Sequence, residues 1–376
     1  MNLDDLIGQK VAVGIIERAV QSGTLTHSYL FEGPEAVGKR TAALLLARAL
    51  KCANSGCGAC AVCRKVEAGI HPDVRLIGPG DGALAGASTE LLEALGERAN
   101  ISIDEFRQNP DKPRSTPPPL LEEAYLKPYE GQWKVYVIDP ADRMRPEAAN
   151  ALLHLLEEPP KGVVMVLVSC RPDALLPTVV SRCQRVGFRL APPEQIEQAL
   201  IARGIEGERA RLLASLAEGR AGWAFQTASR PEWLETRARV VDWVARLPRP
   251  EARAAVRCAA ELHALALDTW RNETDQAAPA PGVQRLTDGQ ILRARLPMIF
   301  DIAASWYRDA LILRSGHSTN VVNLDKLEPI REEAQRSTPD YLAAALSWLM
   351  QATDRLRRNA NPGVTLDWLM VRLLSG

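Results

Sequence analysis

The sequence is poor in aromatic residues, in net charge and in long apolar runs. Phe, Trp and Tyr make up 5% of the 376 residues, which argues against an all-β sandwich and favours a helix-rich chain. The 46 basic and 46 acidic residues cancel, so no overall field draws the protein to nucleic acid or membrane, and any such contact must be local. The chain has neither an uninterrupted apolar run of 18 residues nor an apolar signal core in MNLDDLIGQKV. We therefore expect a cytoplasmic protein without a membrane segment.

The order of predicted elements divides the chain into three parts. Apolar strands alternate with helices in the first half, a pattern typical of a doubly wound α/β domain with a parallel sheet between helices. The second half contains helices separated by short Gly or Pro breaks. We predict an α/β domain at 1–190, a small helical domain at 191–245 and a larger all-helical domain at 246–376. The sequence also predicts a short helix within 89–99 and a loop at 277–283.

The stretch GPEAVGKRT resembles a phosphate-binding loop. Gly33, Gly38 and Lys39 match the pattern G-x-x-x-x-G-K-[ST], and the stretch lies between the predicted strand in THSYLFE and the predicted helix in TAALLLARALKCA. Such a loop forms a nest of backbone N–H groups in front of a helix, with the lysine as a point charge for phosphate. The alternative is a glycine turn that merely precedes a helix.

Two positions of this candidate nucleotide site depart from the pattern of a hydrolysing ATPase. Arg40 replaces the hydroxyl residue that normally ligates Mg²⁺, and Thr41 is one residue, about 100° of helix, out of position. Asp139, after the apolar run VYVI, supplies the usual acidic partner, but Pro140 follows where a water-orienting Glu is expected. Asp142 lies three residues further on. We expect hydrolysis to suffer more than nucleotide binding.

Four cysteines cluster in KCANSGCGACAVC. They are Cys52, Cys57, Cys60 and Cys63. Two C-x-x-C steps allow the thiolates to turn towards one tetrahedral Zn²⁺, with no open position for catalysis, so we predict a structural zinc site. Free thiols or a redox pair are the alternatives. His71 is a reserve ligand, although HPD is more typical of a turn, and the apolar neighbours of Cys170 and Cys258 predict that both are buried.

Several segments, in order, resemble the clamp-loader subunits of bacteria, which are members of the AAA+ superfamily. They are LIGQ, HSYLFEGPEAVGKRT, the cysteine module ending in HPDV, ISIDEFR, VYVIDPADRMRPEAANALLHLLEEPP and LLPTVVSRCQR. The resemblance covers residues 1 to about 225, and the ending NANPGVTLDWLM is similar to the last helices of the family's collar. It implies an AAA+ core at 1–190, a helical lid at 191–245 and an all-helical collar that joins subunits at 246–376.

The resemblance also assigns a role to Arg182, in the SRC motif that begins at Ser181. In the family this arginine projects into the nucleotide site of the next subunit, as a finger on the γ-phosphate. The alternative is an ordinary surface arginine. Hydrolysing members carry a lid arginine where this chain has Gly222, and Arg220 lies two residues early. The losses at Arg40, Pro140 and Gly222 fall on the chain's own site, whereas the residue that serves a neighbour is kept.

These features predict a clamp-loader subunit with a degenerate ATP site, in which ATP binding is weak or absent. Such a subunit takes part in the ATP-dependent loading of the sliding clamp on primed DNA, as a component of the DNA polymerase holoenzyme. Its partners are other subunits of the loader, of the gamma/tau and delta types, with clamp and primer-template DNA contacted through the assembly. An active ATPase of the gamma/tau type is the alternative, and a binding module outside replication is a third hypothesis.

Overall fold

The computed structural model describes residues 6–79, 100–108, 118–247, 251–274, 287–316 and 321–375. The predicted helix within 89–99 and the predicted loop at 277–283 lie outside these ranges. The chain divides into two compact units. Of the described residues, the first unit comprises 6–79, 100–108, 118–199 and 219–223, and the second comprises 200–218 and those from 224 onward. The division into three domains at 1–190, 191–245 and 246–376 stays a prediction.

The first unit is built on a sheet of five parallel strands. The strands are β1 (Ser28–Glu32), β2 (Val74–Ile77), β3 (Lys134–Ile138), β4 (Val163–Ser169) and β5 (Gln184–Gly187), in the spatial order β2-β3-β4-β1-β5. Every pairing is parallel. The carboxyl ends of β1, β3 and β4 therefore meet at one edge of the sheet, and the amino end of β5 lies at the other. The predicted parallel α/β core is confirmed.

Helices cover both faces of this sheet. They are α1 (Lys10–Ser22), α2 (Lys39–Lys51), α3 (Ala61–Glu67), α4 (Leu120–Ala124), α5 (Pro146–Glu157) and α6 (Pro177–Val180). The next helix, α7 (Pro193–Ile201), begins in the first unit and ends in the second. Alternate strand residues point to opposite faces. Phe31 joins the core that α1 and α2 cover, and its neighbour Leu30 joins the core beneath α5. The continuous apolar runs of the strands follow from burial on both sides.

The second unit is helical. Its elements are α8 (Gly207–Leu216), α10 (Pro231–Ala245), α11 (Ala255–Thr274), α12 (Asp288–Arg314), α13 (Leu327–Arg336), α14 (Pro339–Arg357) and α15 (Pro362–Ser375), while α9 (Ala221–Ala228) begins in the first unit and ends in the second. The 27-residue helix α12 begins with a capping box at Thr287 and Gln290. Its buried Phe300 and Trp306 lie in one large core with residues of α10, α11, α14 and α15. Within the described ranges, no helix combines the length and the apolar character needed to cross a membrane.

We predict that Gly33→Ala destabilises the protein more than Gly23→Ala, the control. Both glycines have positive φ, 138° and 68° respectively, so alanine is strained at each, by about 1 kcal/mol. A methyl group at Gly33 would also lie 2.2 Å from the carbonyl oxygen of Phe188, whereas one at Gly23 would meet nothing within 4 Å. Thermal unfolding followed by circular dichroism should give a lower midpoint for Gly33→Ala, and equal midpoints would contradict the close packing.

Candidate functional site

The phosphate-type loop lies at the carboxyl edge of the sheet, between β1 and α2. Gly33 and Gly38 have positive φ, and so does Ala36, at 55°. Gly38 is the N-cap of α2, so the loop leads directly into the positive end of the helix dipole. The strand–loop–helix arrangement predicted from the sequence is confirmed.

Lys39 is turned back into its own loop. Its side chain is buried, and Nζ donates to the carbonyl oxygen of Gly33 at 2.7 Å and to that of Pro34. Nζ also lies 3.4 Å from Sγ of Cys170, just beyond the end of β4. Cys170 is exposed, so the prediction that it is buried was wrong, because it has already left the strand; Cys258 is buried as predicted. The ammonium group that the sequence assigns to phosphate is thus satisfied by protein groups.

Arg40 lies beside Asp139, the acidic residue of the candidate nucleotide site. Its Nε lies 3.8 Å from Oδ2 of Asp139, the residue that follows β3. Burial raises the pKa of Asp139, and the positive charges of Arg40 and Lys39 act in the opposite direction. Thr41, the third residue of α2, is half-buried. The acidic residue that would share a Mg²⁺ with a loop hydroxyl therefore faces a guanidinium group of its own chain.

Asp142 holds the ends of two strands together. Its Oδ1 accepts from the hydroxyl of Ser169 at 2.9 Å and from the N–H of Cys170 at 3.3 Å. Its Oδ2 lies 3.1 Å from Nη2 of Arg171. Both oxygens of this carboxylate, three residues past Asp139, are therefore hydrogen-bonded within the chain.

The start of α9 rests on the loop. The N–H of Gly222 donates to the carbonyl oxygen of Ala36 at 2.7 Å. A methyl group at Gly222 would lie 2.7 Å from that same oxygen, so the backbone leaves no room for the side chain of a lid arginine. Arg220 instead lies over the ring of Trp223, 5.8 Å from its centroid.

Two residues of the LIGQ segment have roles that sequence reasoning missed. The side chain of Gln9 donates to the carbonyl oxygen of Arg189 at 2.6 Å and accepts from the N–H of Arg189 at 3.0 Å. Leu6 is buried, and its Cδ2 would lie 3.1 Å from a methyl group at Gly38. The chain before α1 therefore covers part of the phosphate-type loop.

Arg182 lies at the opposite edge of the sheet from this loop. It precedes β5, whose Gln184 pairs with Tyr29 at the start of β1, whereas the loop follows the end of β1. Cys183 and Phe188 are five residue steps apart along extended chain, about 16 Å. The carbonyl group of Phe188 lies against Gly33. Arg182 is one-third exposed and forms an ion pair, 2.6 Å long, with Glu157.

The four clustered cysteines converge. Their sulfur atoms lie within 4.8 Å of one another, and Sγ of Cys52 is 3.7 Å from the sulfurs of Cys57 and Cys60. Metal–sulfur bonds of about 2.3 Å at the tetrahedral angle place sulfurs about 3.8 Å apart, so the spacing fits one metal ion. Burial acts to raise the pKa of Cys52, but the backbone N–H groups of Cys57, Asn54 and Gly56 more than offset it and lower the pKa to about 6.

His71 belongs to a different cluster. Its Nδ1 accepts from the N–H of Asp73 at 3.1 Å, so HPD builds the expected turn. Asp73 forms a fully buried ion pair with Lys51, 2.8 Å long, and also accepts from the N–H groups of Tyr129 and Glu130. Burial lowers the pKa of His71, and the charge of Lys51 lowers it further. This network anchors the cysteine module to β2.

The sheet order, the phosphate-type loop after β1 and the start of α9 against that loop define a class by fold: an α/β protein with a P-loop-type turn, a cysteine module and a helical second unit. The family model described as DNA polymerase III, delta subunit, matches residues 8–192. The delta-prime subunit of Bacillus subtilis is 28% identical over 365 residues, 96% of this chain and 95% of that protein. The delta-prime subunit of Pseudomonas aeruginosa is 28% identical over 93% of this chain and 92% of that protein.

This chain is thus similar, along nearly its whole length, to the bacterial DNA polymerase III delta-prime subunits. The gamma/tau subunit of Mycobacterium tuberculosis is 30% identical, but over 54% of this chain and 31% of that protein. Among solved structures, a DNA polymerase III gamma-subunit-related protein of Thermotoga maritima has 18% identity and a TM-score of 0.43, covering 96% of this chain and 98% of that chain.

We predict that Lys51→Met destabilises the protein by about 3 kcal/mol, because it leaves Asp73 charged and buried without its partner. Lys65→Met is the matched control. The Lys65–Glu130 pair is also 2.8 Å long, but its side chains are 42% and 40% exposed, against 1% and 0% for Lys51–Asp73. An exposed pair contributes less than about 1 kcal/mol. Urea unfolding should separate the two variants, and equal losses would contradict the anchoring role of Lys51.

Proposed function

We propose that this chain is a subunit of a bacterial clamp loader that does not hydrolyse ATP by itself. The observation that carries the proposal is that the cations of its own phosphate-type loop engage groups of the same chain. Lys39 is hydrogen-bonded to loop carbonyl oxygens, and Arg40 faces Asp139. Similarity to delta-prime subunits along nearly the whole chain supports the same class.

The residues at this site do not fit Mg²⁺-dependent hydrolysis. A guanidinium group beside Asp139 repels a divalent cation and offers it no oxygen ligand. Pro140 supplies no base, Asp142 is engaged with Ser169, and Gly222 cannot be replaced by a larger residue without moving the loop. Any nucleotide bound at Gly33, Gly38, Lys39 and Thr41 is therefore bound weakly, and no step of turnover is assigned to this site.

In this proposal, Arg182 is the residue by which the chain promotes ATP turnover in a neighbouring subunit. It lies at the far edge of the sheet from its own loop, so a γ-phosphate that it contacts belongs to a neighbour, and a gamma/tau subunit is the proposed neighbour. A planar cation supplied in trans stabilises the charge that develops during phosphoryl transfer.

The assembly that we propose joins this chain to gamma/tau and delta subunits in the cytoplasm. The helices of 246–376 form its part of the collar, and 191–245 its lid. The assembly places the sliding clamp on primer-template DNA as part of the DNA polymerase holoenzyme. The alternative, an active ATPase of the gamma/tau type, is less well supported, because the gamma/tau match reported above spans about half of this chain.

We also propose that Cys52, Cys57, Cys60 and Cys63 hold a structural Zn²⁺. The sulfur spacing fits a closed tetrahedral site, and four thiolates leave no position open for a water molecule or a substrate. The ion would tie the end of α2 to the start of α3, since Cys52 follows α2 and Cys60 is the N-cap of α3.

Zinc content tests this second proposal. Freshly purified, reduced protein should contain about one zinc per chain by atomic absorption, and Cys60→Ser should lower that content sharply. Cys170→Ser is the control and should keep its zinc, because Cys170 is remote from the cluster in the sequence and lies beside Lys39. Less than about half a zinc per chain in the unaltered protein would contradict the proposal.

Steady-state ATP turnover tests the main proposal. The purified chain alone should show no turnover above that of Lys39→Ala, because the metal ligand, the base and the lid arginine are all missing. Clear turnover that Lys39→Ala abolishes would mean that the chain is an ATPase in its own right.

The same assay with the cognate gamma/tau and delta subunits tests Arg182. Arg182→Ala should lower the turnover of the adjoining site by about 10³-fold, the lower end of the effect of an arginine finger. Arg182→Lys should rescue little, because lysine lacks the planar fork. Unchanged turnover in Arg182→Ala would contradict the role in trans.

A further inference from the structure

We infer that Glu157 is a positioning residue for Arg182, an assignment that rests on the proposed function. Oε1 of Glu157 lies 2.6 Å from Nη2 of Arg182. On the other side of the guanidinium group, Nη1 donates to the carbonyl oxygen of Thr178 at 2.8 Å. Two groups from two different helices therefore hold the two terminal nitrogens of one arginine.

Both groups are fixed to the core of the first unit. Glu157 is the last residue of α5, and the preceding Leu155 and Leu156 are buried. Thr178 is in α6, which begins with Pro177 and whose Val179 is fully buried. Because the two helices pack into one apolar core, the backbone positions that carry the carboxylate and the carbonyl oxygen are fixed relative to one another.

This arrangement orients the arginine without consuming its capacity to bind phosphate. A guanidinium group has five N–H donors, and these two contacts require one from each terminal nitrogen. Nη1 also lies 3.5 Å from Oγ of Ser181, and further donors remain for an anion. A free arginine loses rotamer entropy when it engages an anion, and an arginine already held in one plane loses less. Glu157 is 49% and Arg182 35% exposed, so the pair is weak as a contributor to stability. Its effect is expected in turnover rather than in folding.

A double-mutant cycle in the full assembly with cognate gamma/tau and delta subunits tests the inference. The variants are Glu157→Ala, Arg182→Ala and the double variant, with kcat and KM for ATP measured for each. We expect Glu157→Ala to lower the Arg182-dependent part of kcat about threefold, the order of a coupling between contacting residues, with KM unchanged. The double variant should equal Arg182→Ala, because Glu157 acts only through Arg182.

Two further variants separate orientation from general damage. Glu157→Gln keeps an oxygen acceptor of the same reach and should restore most of kcat. If Glu157→Gln lowered kcat as much as Glu157→Ala, orientation through that acceptor would be overturned. Glu158→Ala changes the neighbouring exposed carboxylate and should leave kcat unchanged. An equal loss in Glu158→Ala would overturn a specific role for Glu157.

The remaining outcomes distinguish this inference from the proposed function. If Arg182→Ala lowers kcat and Glu157→Ala does not, the inference fails and the finger remains. If Glu157→Ala raises kcat, Glu157 restrains the arginine and the positioning role is overturned. If Glu157→Ala lowers kcat in the Arg182→Ala background as well, it acts elsewhere, which also overturns the inference. If Arg182→Ala has no effect, the proposed function itself fails and the inference falls with it.

Discussion

The parallel pairing of β1 with β4 and β5 decides where each candidate residue lies. Residues that follow β1, β3 and β4 must meet at the carboxyl edge, and there the structure has the phosphate-type loop, Asp139 and Ser169. A residue that precedes β5 must lie at the amino edge, which is where Arg182 is found. One hydrogen-bonding pattern therefore places the phosphate-type loop and Arg182 at opposite edges of the same sheet.

Charge compensation at the carboxyl edge explains why the site can keep its shape without a ligand. In an active P-loop protein the loop lysine and the metal ion balance phosphate charge. Here Lys39 donates to loop carbonyl oxygens and Asp139 faces Arg40. Both charged groups therefore have partners within the chain.

The sequence predicted the local features of the site and missed the long-range ones. The strand–loop–helix around Gly33, the acidic residue after β3 and the convergence of the cysteines follow from motifs a few residues long. The Lys51–Asp73 pair joins residues 22 positions apart, and the Glu157–Arg182 pair joins the end of one helix to a turn before a strand. The residue types alone do not identify such partners, because the sequence does not distinguish a charged residue that will be buried from one that will stay at the surface.

The contact between α9 and the loop limits which single substitutions would bring this chain closer to the ATPase pattern. An arginine at Gly222 would collide with the carbonyl group of Ala36, and a hydroxyl residue at position 40 would leave Asp139 without its cation. Each single step back towards an ATPase is therefore unfavourable on its own, although the steps together would restore the lid and the metal ligand. On the proposed function, no single substitution at these two positions would restore hydrolysis.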